Sequence, residues 1–220
     1  MAQLILGTNS TNVIPAMYVK EESEQKKYTL LQRITDDNGN EIGTVSGYQL
    51  GQDNVEYACV CLDAVYRADL KQYLSDNVAI TNLPNWSDQC IWDVDEVYFK
   101  ETATFATDKI LAMTTDGTYT SSACTHCRSY SFTIDGITYE GQLPTIMELI
   151  DIFRHRTRIN ALDPTASSYS SLVIPQSKTI WSSTQYSTTT ALSVYYSGLV
   201  NTYTKNSSLF VVPVIELPLD

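Results

Sequence analysis

The sequence predicts an α+β domain with an antiparallel sheet, and three stretches carry that prediction. Residues 145–160 open on a Thr-x-x-Glu capping pair, Thr145 and Glu148, and repeat apolar residues at Ile146, Leu149, Ile150 and Phe153, the stripe of an amphipathic helix. The closing stretch from Ile180 reads as strands instead. Between Trp181 and Ser208, 19 of 28 residues are Ser, Thr, Tyr or Asn, with Trp181, Val194, Val200 and Phe210 to Ile215 apolar at strand-like spacing, which reads as a sheet with a wet face, either a solvated side or a binding surface. The run Asp36-Asp37-Asn38-Gly39-Asn40-Glu41 supplies an Asn-Gly hairpin turn between two strand-like segments.

Composition bounds the rest. A chain of 220 residues with 43% hydrophobic content can build one large core. Its 14 basic against 25 acidic residues give a net charge of −11, and without a basic stripe no phosphate backbone is an expected partner. No stretch approaches the roughly 20 apolar residues that span a bilayer, so membrane insertion is not expected. The opening Met-Ala-Gln-Leu-Ile-Leu-Gly-Thr lacks the basic and long apolar regions of a secretory signal, and folding in a cytoplasm is expected. Five cysteines, an odd number, then read as reduced thiols buried as small hydrophobes.

Residues 1–19 carry the apolar clusters Leu4-Ile5-Leu6 and Val13-Ile14 around the turn-forming run Gly7 to Asn12. So short a leader needs a surface from elsewhere, and it reads either as a first strand of the domain or as an attachment and oligomerisation segment. Lys20 to Lys27 has no apolar residue and reads as a solvated connector. The division is therefore 1–27, attachment segment and connector, and 28–220, the folded domain. Within the domain, Tyr28 to Leu31 and Ile42 to Tyr48 are the strands flanking the Asn-Gly turn. Val55 to Leu62 is a third, with Val55, Tyr57, Cys59 and Cys61 on one face and Glu56, Ala58, Val60 and Leu62 on the other.

Tyr66, Leu70, Tyr73 and Leu74 mark a short helix. Pro84 to Ser87 reads as a loop and Ile91 to Phe99 as a strand. Arg154, His155, Arg156 and Arg158 are placed in the last turns of the main helix, where cations favour the negative end of the dipole, and Asp163-Pro164 stops it. The meander then runs Ala191 to Tyr196, turns at Ser197-Gly198, returns through Leu199 to Thr204, turns at Lys205-Asn206 and ends in Phe210 to Leu217.

Three clusters invite chemistry. Asp93, Asp95 and Glu96 read as calcium ligands or as solvated acids, with Glu96 on the opposite strand face from the other two. Cys124-Thr125-His126-Cys127 has the C-x-x-C spacing of a zinc half-site, yet Cys59-x-Cys61 on a strand is a poor second pair, so core cysteines beside a loop is the other reading. With His126 and His155 as the only histidines, no nucleophile and base are legible as a pair. Glycines show no phosphate-binding spacing. The expectation is a non-enzyme with no cofactor and no metal.

The order Trp181-Ser-Ser-Thr-Gln-Tyr-Ser, Ala191, Ser197-Gly198, Lys205 and Pro213-Val214, with Leu192 where Trp is usual, resembles the end of C-type-lectin-fold domains in phage and bacterial diversified ligand-binding proteins. These belong to the formylglycine-generating-enzyme-like branch and include diversity-generating-retroelement variable proteins. The stretch from Cys124 to Leu149 and the step from Cys61-Leu62-Asp63-Ala64 into Tyr66-Arg67 resemble the same family, covering 40–215, and the leader resembles the opening of gut-phage virion fibre proteins.

The resemblance implies a C-type-lectin-like domain with an antiparallel sheet and two helices, preceded by a short N-terminal attachment segment. It implies a phage head-fibre or tail-fibre protein at the virion surface, assembled in the host cytoplasm as a homotrimer on capsid or tail proteins. The partner would be a host cell-surface glycan or protein. The alternative is a structural head or tail decoration protein with no ligand of its own. Strand alternation places Ser193 and Tyr195 beside Asn201 and Tyr203 on a polar side, rimmed by Tyr186, Thr188 and Thr189 and by Lys205 and Asn206. Tyr supplies rigid amphipathic area there, and Ser, Thr and Asn supply adaptable hydrogen bonds.

Overall fold

The Asn38-Gly39 signal is realised as the joint between strands β1 (Arg33–Thr35) and β2 (Glu41–Leu50) in a computed structural model. Gly39 sits at φ +84°, a conformation an L side chain rarely adopts, and the Asp36 carboxylate accepts the Asn38 and Asn40 backbone N–H groups. The structure describes residues 26–51, 53–63, 90–92, 97–99, 102–112, 121–162, 174, 176–187, 190–205, 207 and 209–219. Tyr28 to Leu31, expected as a strand, is a turn. The Thr29 N–H donates to the Gln32 side chain, the Gln32 N–H donates back to the Thr29 carbonyl, and Leu31 takes φ +66°.

β2 pairs antiparallel with β3 (Glu56–Leu62), and β3 pairs with β11 (Val214–Pro218), so the four-stranded sheet runs β1-β2-β3-β11. The expected alternation of β3 holds, with both faces buried. Cys61 joins Val214 beneath helix α3 (Ile146–Leu162), while Ala58, Val60 and Leu62 join Val45, Ile215 and Leu217 on the other side. That second side is covered by Tyr28 and by the hairpin β6 (Ser131–Ile134) and β7 (Ile137–Glu140), whose Asp135-Gly136 turn has φ +53° and +75°. This Asp-Gly turn is a hairpin signal the sequence reading passed over.

The capping box of α3 forms as expected: Thr145 Oγ1 donates to Glu148 Oε2 at 2.9 Å and accepts the Glu148 N–H at 3.3 Å. Ile146, Leu149, Ile152 and Phe153 bury against the four-stranded sheet on one side and, on the other, against Ile180, Leu192 and Val194 of a second, three-stranded sheet. Each such fully buried side chain stabilises by about 1.5–3 kcal/mol. α3 approaches β2 closely because position 47 is glycine: a Cβ there would lie 2.9 Å from Asp151 Oδ2. The helix runs on to Leu162, so Arg154, His155, Arg156 and Arg158 stand inside it and not at its negative end. Arg154 pairs with Asp151, and Arg156 donates to the Phe153 carbonyl and lies over the Tyr196 ring.

The predicted meander is divided between the two sheets. β8 (Thr179–Gln185), β9 (Thr190–Tyr195) and β10 (Val200–Thr204) form the sheet β10-β9-β8, whereas β11 leaves it to pair with β3. Two helices between β5 (Val97–Phe99) and β6, namely α1 (Ala103–Ala112) and α2 (Ser122–Arg128), were not expected. The buried face of α1 is Ala103, Ala106, Thr107 and Ile110, too small and too polar to give a visible apolar stripe. Cys124 and Cys127 lie on α2, buried with Ala106, Ile110, Leu143 and Trp181, and so are helical core residues and not residues beside a loop. β4 (Cys90–Trp92) pairs with β5. The leader 1–25, the helix expected over 66–74, the loop 84–87 and the acids Asp93, Asp95 and Glu96 lie outside the described residues. Among the described residues no helix is long and apolar enough to cross a membrane.

Candidate functional site

The Ser/Thr run Trp181-Ser182-Ser183-Thr184 is an internal socket and not a solvated face. All four residues are buried. Ser182 Oγ donates to the Leu192 carbonyl at 2.8 Å and Ser183 Oγ to the Pro144 carbonyl at 3.2 Å. Thr184 Oγ1 accepts the Ile146 N–H at 2.9 Å, satisfying one of the donors that a helix start leaves open. β8 therefore holds the start of α3 through Ser183 and Thr184, while Ser182 ties it to β9.

Of the expected pairing only one half is observed: Asn201 lies opposite Ser193, but Tyr203 lies opposite Ala191, and Tyr195 stands farther along the same side. Ser193, however, is fully buried and donates to the Asn201 carbonyl. The side it shares with Trp181 and Ala191 faces α1 and α2, which sequence reading had not foreseen. Lys205 is buried too, its Nζ donating to Gln185 Oε1 at 2.6 Å, and burial lowers its pKa to about 8. Neither residue presents itself on a surface.

What is exposed is a rim. Tyr186 is 54% accessible just beyond β8, Tyr195 37% at the end of β9 and Tyr203 38% on the edge strand β10. Tyr203 stands edge-on to the buried Trp181 ring, 6.5 Å between centroids, which fixes its position. Since Tyr203 is opposite Ala191, Tyr195 lies about 13 Å further along the sheet. Half-buried Asn201 falls between them. Leu199 and Val200, 61% and 36% accessible at the Gly198 turn, complete a mixed aromatic and apolar border that the sequence reading had not assigned. Thr188, Thr189 and Asn206 lie outside the described residues.

A second constellation was invisible in the sequence. Cys59 Sγ and the carboxylates of Glu148 and Glu216 lie within 4.8 Å of one another, all buried. Glu216 Oε1 and Oε2 accept the Ala103 and Thr104 N–H groups at 2.8 and 2.9 Å, capping α1 beside Thr102. Glu148 Oε2 accepts the Thr145 N–H at 2.7 Å, and Glu148 Oε1 accepts the Cys59 thiol. Backbone donors of two helix starts thus point at the pair, a field that favours anions and opposes a metal cation. Burial, then the neighbouring Glu216, push the Glu148 carboxyl well above its ordinary range. Glu216 also borders an open cavity of about 330 Å³ lined by Asp53, Tyr57, Thr102, Phe105 and Asp108.

The four described thiols are not poised for chemistry. Cys59, Cys61, Cys124 and Cys127 are free and buried, and burial raises the pKa of each. His155 Nδ1 lies 3.1 Å from the Ser46 and Asp151 carbonyl oxygens, and the His126 ring meets Tyr130 edge-on. Comparison with protein-family models and with curated proteins gave no match.

Proposed function

We propose that this chain is a phage fibre or adhesion protein that displays a C-type-lectin-like domain at the virion surface and contacts a host-surface glycan or protein through the rim of Tyr186, Tyr195, Asn201 and Tyr203. The lectin-like part of the reading is supported by the last strand, β11, lying beside β3, with α3 between that sheet and a separate small sheet. The binding part rests on one observation: three tyrosines, two on β9 and β10 and one just beyond β8, stay substantially exposed beside a buried socket. Rigid aromatic anchors with nearby amide and hydroxyl groups are the chemistry of evolved contact surfaces.

A second reading, a decoration protein packed against neighbouring subunits, is favoured by the accessibility of Leu199 and Val200 beside the edge strand β10. Binding of the full-length chain to a panel of whole bacterial cells and to an array of bacterial surface polysaccharides separates the two. Tyr186→Ala and Tyr195→Ala are expected to lose about 2 kcal/mol or more, roughly thirtyfold in Kd, with little change in Tm. Normal binding by both variants refutes the adhesive rim.

A further inference from the structure

We propose that Glu148 and Glu216 share one proton, carried by Glu148, and that this proton makes the joint between α1, α3 and the β3–β11 pair a pH-sensitive clasp. The geometry assigns the proton. Each oxygen of Glu216 accepts one backbone N–H of α1 and keeps a second lone pair that can accept a further donor. Glu148 Oε2 is taken by Thr145 N–H and Oγ1–H. Glu148 Oε1 alone has only the weak thiol donor of Cys59, and from there a proton can bridge to Glu216.

The sheet register makes this joint specific. Gly47, Cys59 and Glu216 stand side by side across β2, β3 and β11, and α3 lays Glu148 over that row. Among the described residues no lysine or arginine is ion-paired to either carboxylate. β3 contributes Cys59 and Tyr57, α3 contributes Asp151 with His155 beyond it, α1 contributes Asp108 and the turn before β3 contributes Asp53. Glu216 lines the open cavity, which gives the buried pair a route for proton exchange with solvent.

The direction of the pH effect follows from linkage. The folded chain keeps a proton on Glu148 after the unfolded chain has released it, so the contribution is full below the ordinary glutamate range around 4.5. From there the folding equilibrium falls about tenfold per pH unit, levelling only above the raised folded value. Loss of the proton leaves two carboxylates within 4.8 Å of each other inside the protein, and α3 and β11 are then driven apart.

The test uses the full chain. Thermal unfolding from pH 5 to pH 9 is measured for wild type, Glu148→Gln and Glu216→Gln. The Glu148→Gln amide reproduces the protonated form, accepting from Thr145 and donating to Glu216, so it is expected to fold and to lose the one-proton decline relative to wild type. Glu216→Gln sets an NH2 against the α1 N–H groups and is expected to melt lower at every pH. Infrared spectroscopy of the wild-type chain with labelled glutamate gives an independent reading, namely a protonated carboxyl band at pH 6 that fades as pH rises. The clasp is overturned if that band is missing at pH 6. It is equally overturned if Glu148→Gln keeps the wild-type pH profile, or if Glu216→Gln is as stable as wild type.

Discussion

Lys205 illustrates how a residue chosen for a surface role can be claimed by the interior. Its stem is buried at the end of β10, its ammonium donates to Gln185, and burial lowers its pKa from 10.5 to about 8. A cation whose folded value is depressed binds its proton less well than the unfolded chain does. Its stabilising contribution is therefore present above about 10.5 and lost as pH falls through about 8. Wild type should accordingly gain stability between pH 8 and pH 10.5 relative to Lys205→Met, measured by urea denaturation at fixed salt. Parallel profiles would show that Lys205 is solvated. Ser193 makes the same point without charge, since its hydroxyl satisfies the Asn201 carbonyl inside the protein.

At the scale of elements, α3 was legible because its signals are local: Thr145, Glu148 and the apolar stripe lie within nine residues of one another, and the capping box formed as written. The Asn38-Gly39 hairpin was legible for the same reason. β8 was misread because its hydroxyls face a helix start 38 residues away, a partner that composition does not disclose. α1 was missed because its N-terminus is capped by Glu216, from the far end of the chain, and its buried side is mostly Ala and Thr. The socket gives a direct prediction. Thr184→Val keeps the shape of β8 but leaves the Ile146 N–H without its acceptor, and should cost about 1–3 kcal/mol in chemical denaturation. A loss below about 0.5 kcal/mol would mean the hydroxyl is dispensable.

At the scale of the molecule, the α+β class followed from three patterned stretches, whereas the allocation of strands to two sheets did not. Nothing in the residues 209–217 states that β11 must bypass β10 and pair with β3; that is decided by which sheet face completes the cover of α3. The candidate surface was legible in part. Tyr186, Tyr195 and Tyr203 are exposed as strand alternation and turn position suggest, while the burial of Ser193 depends on α1 and α2 packing behind it.

The central claim, the proposed adhesive rim displayed outward, is tested most directly by tyrosine-selective chemical labelling of the intact phage particles on which the chain is proposed to stand, read by mass spectrometry before and after the particles bind host cells. The account predicts that Tyr186 and Tyr195 are modified on free particles and protected once the particles are bound. Protection on free particles, or modification that host binding leaves unchanged, would contradict it.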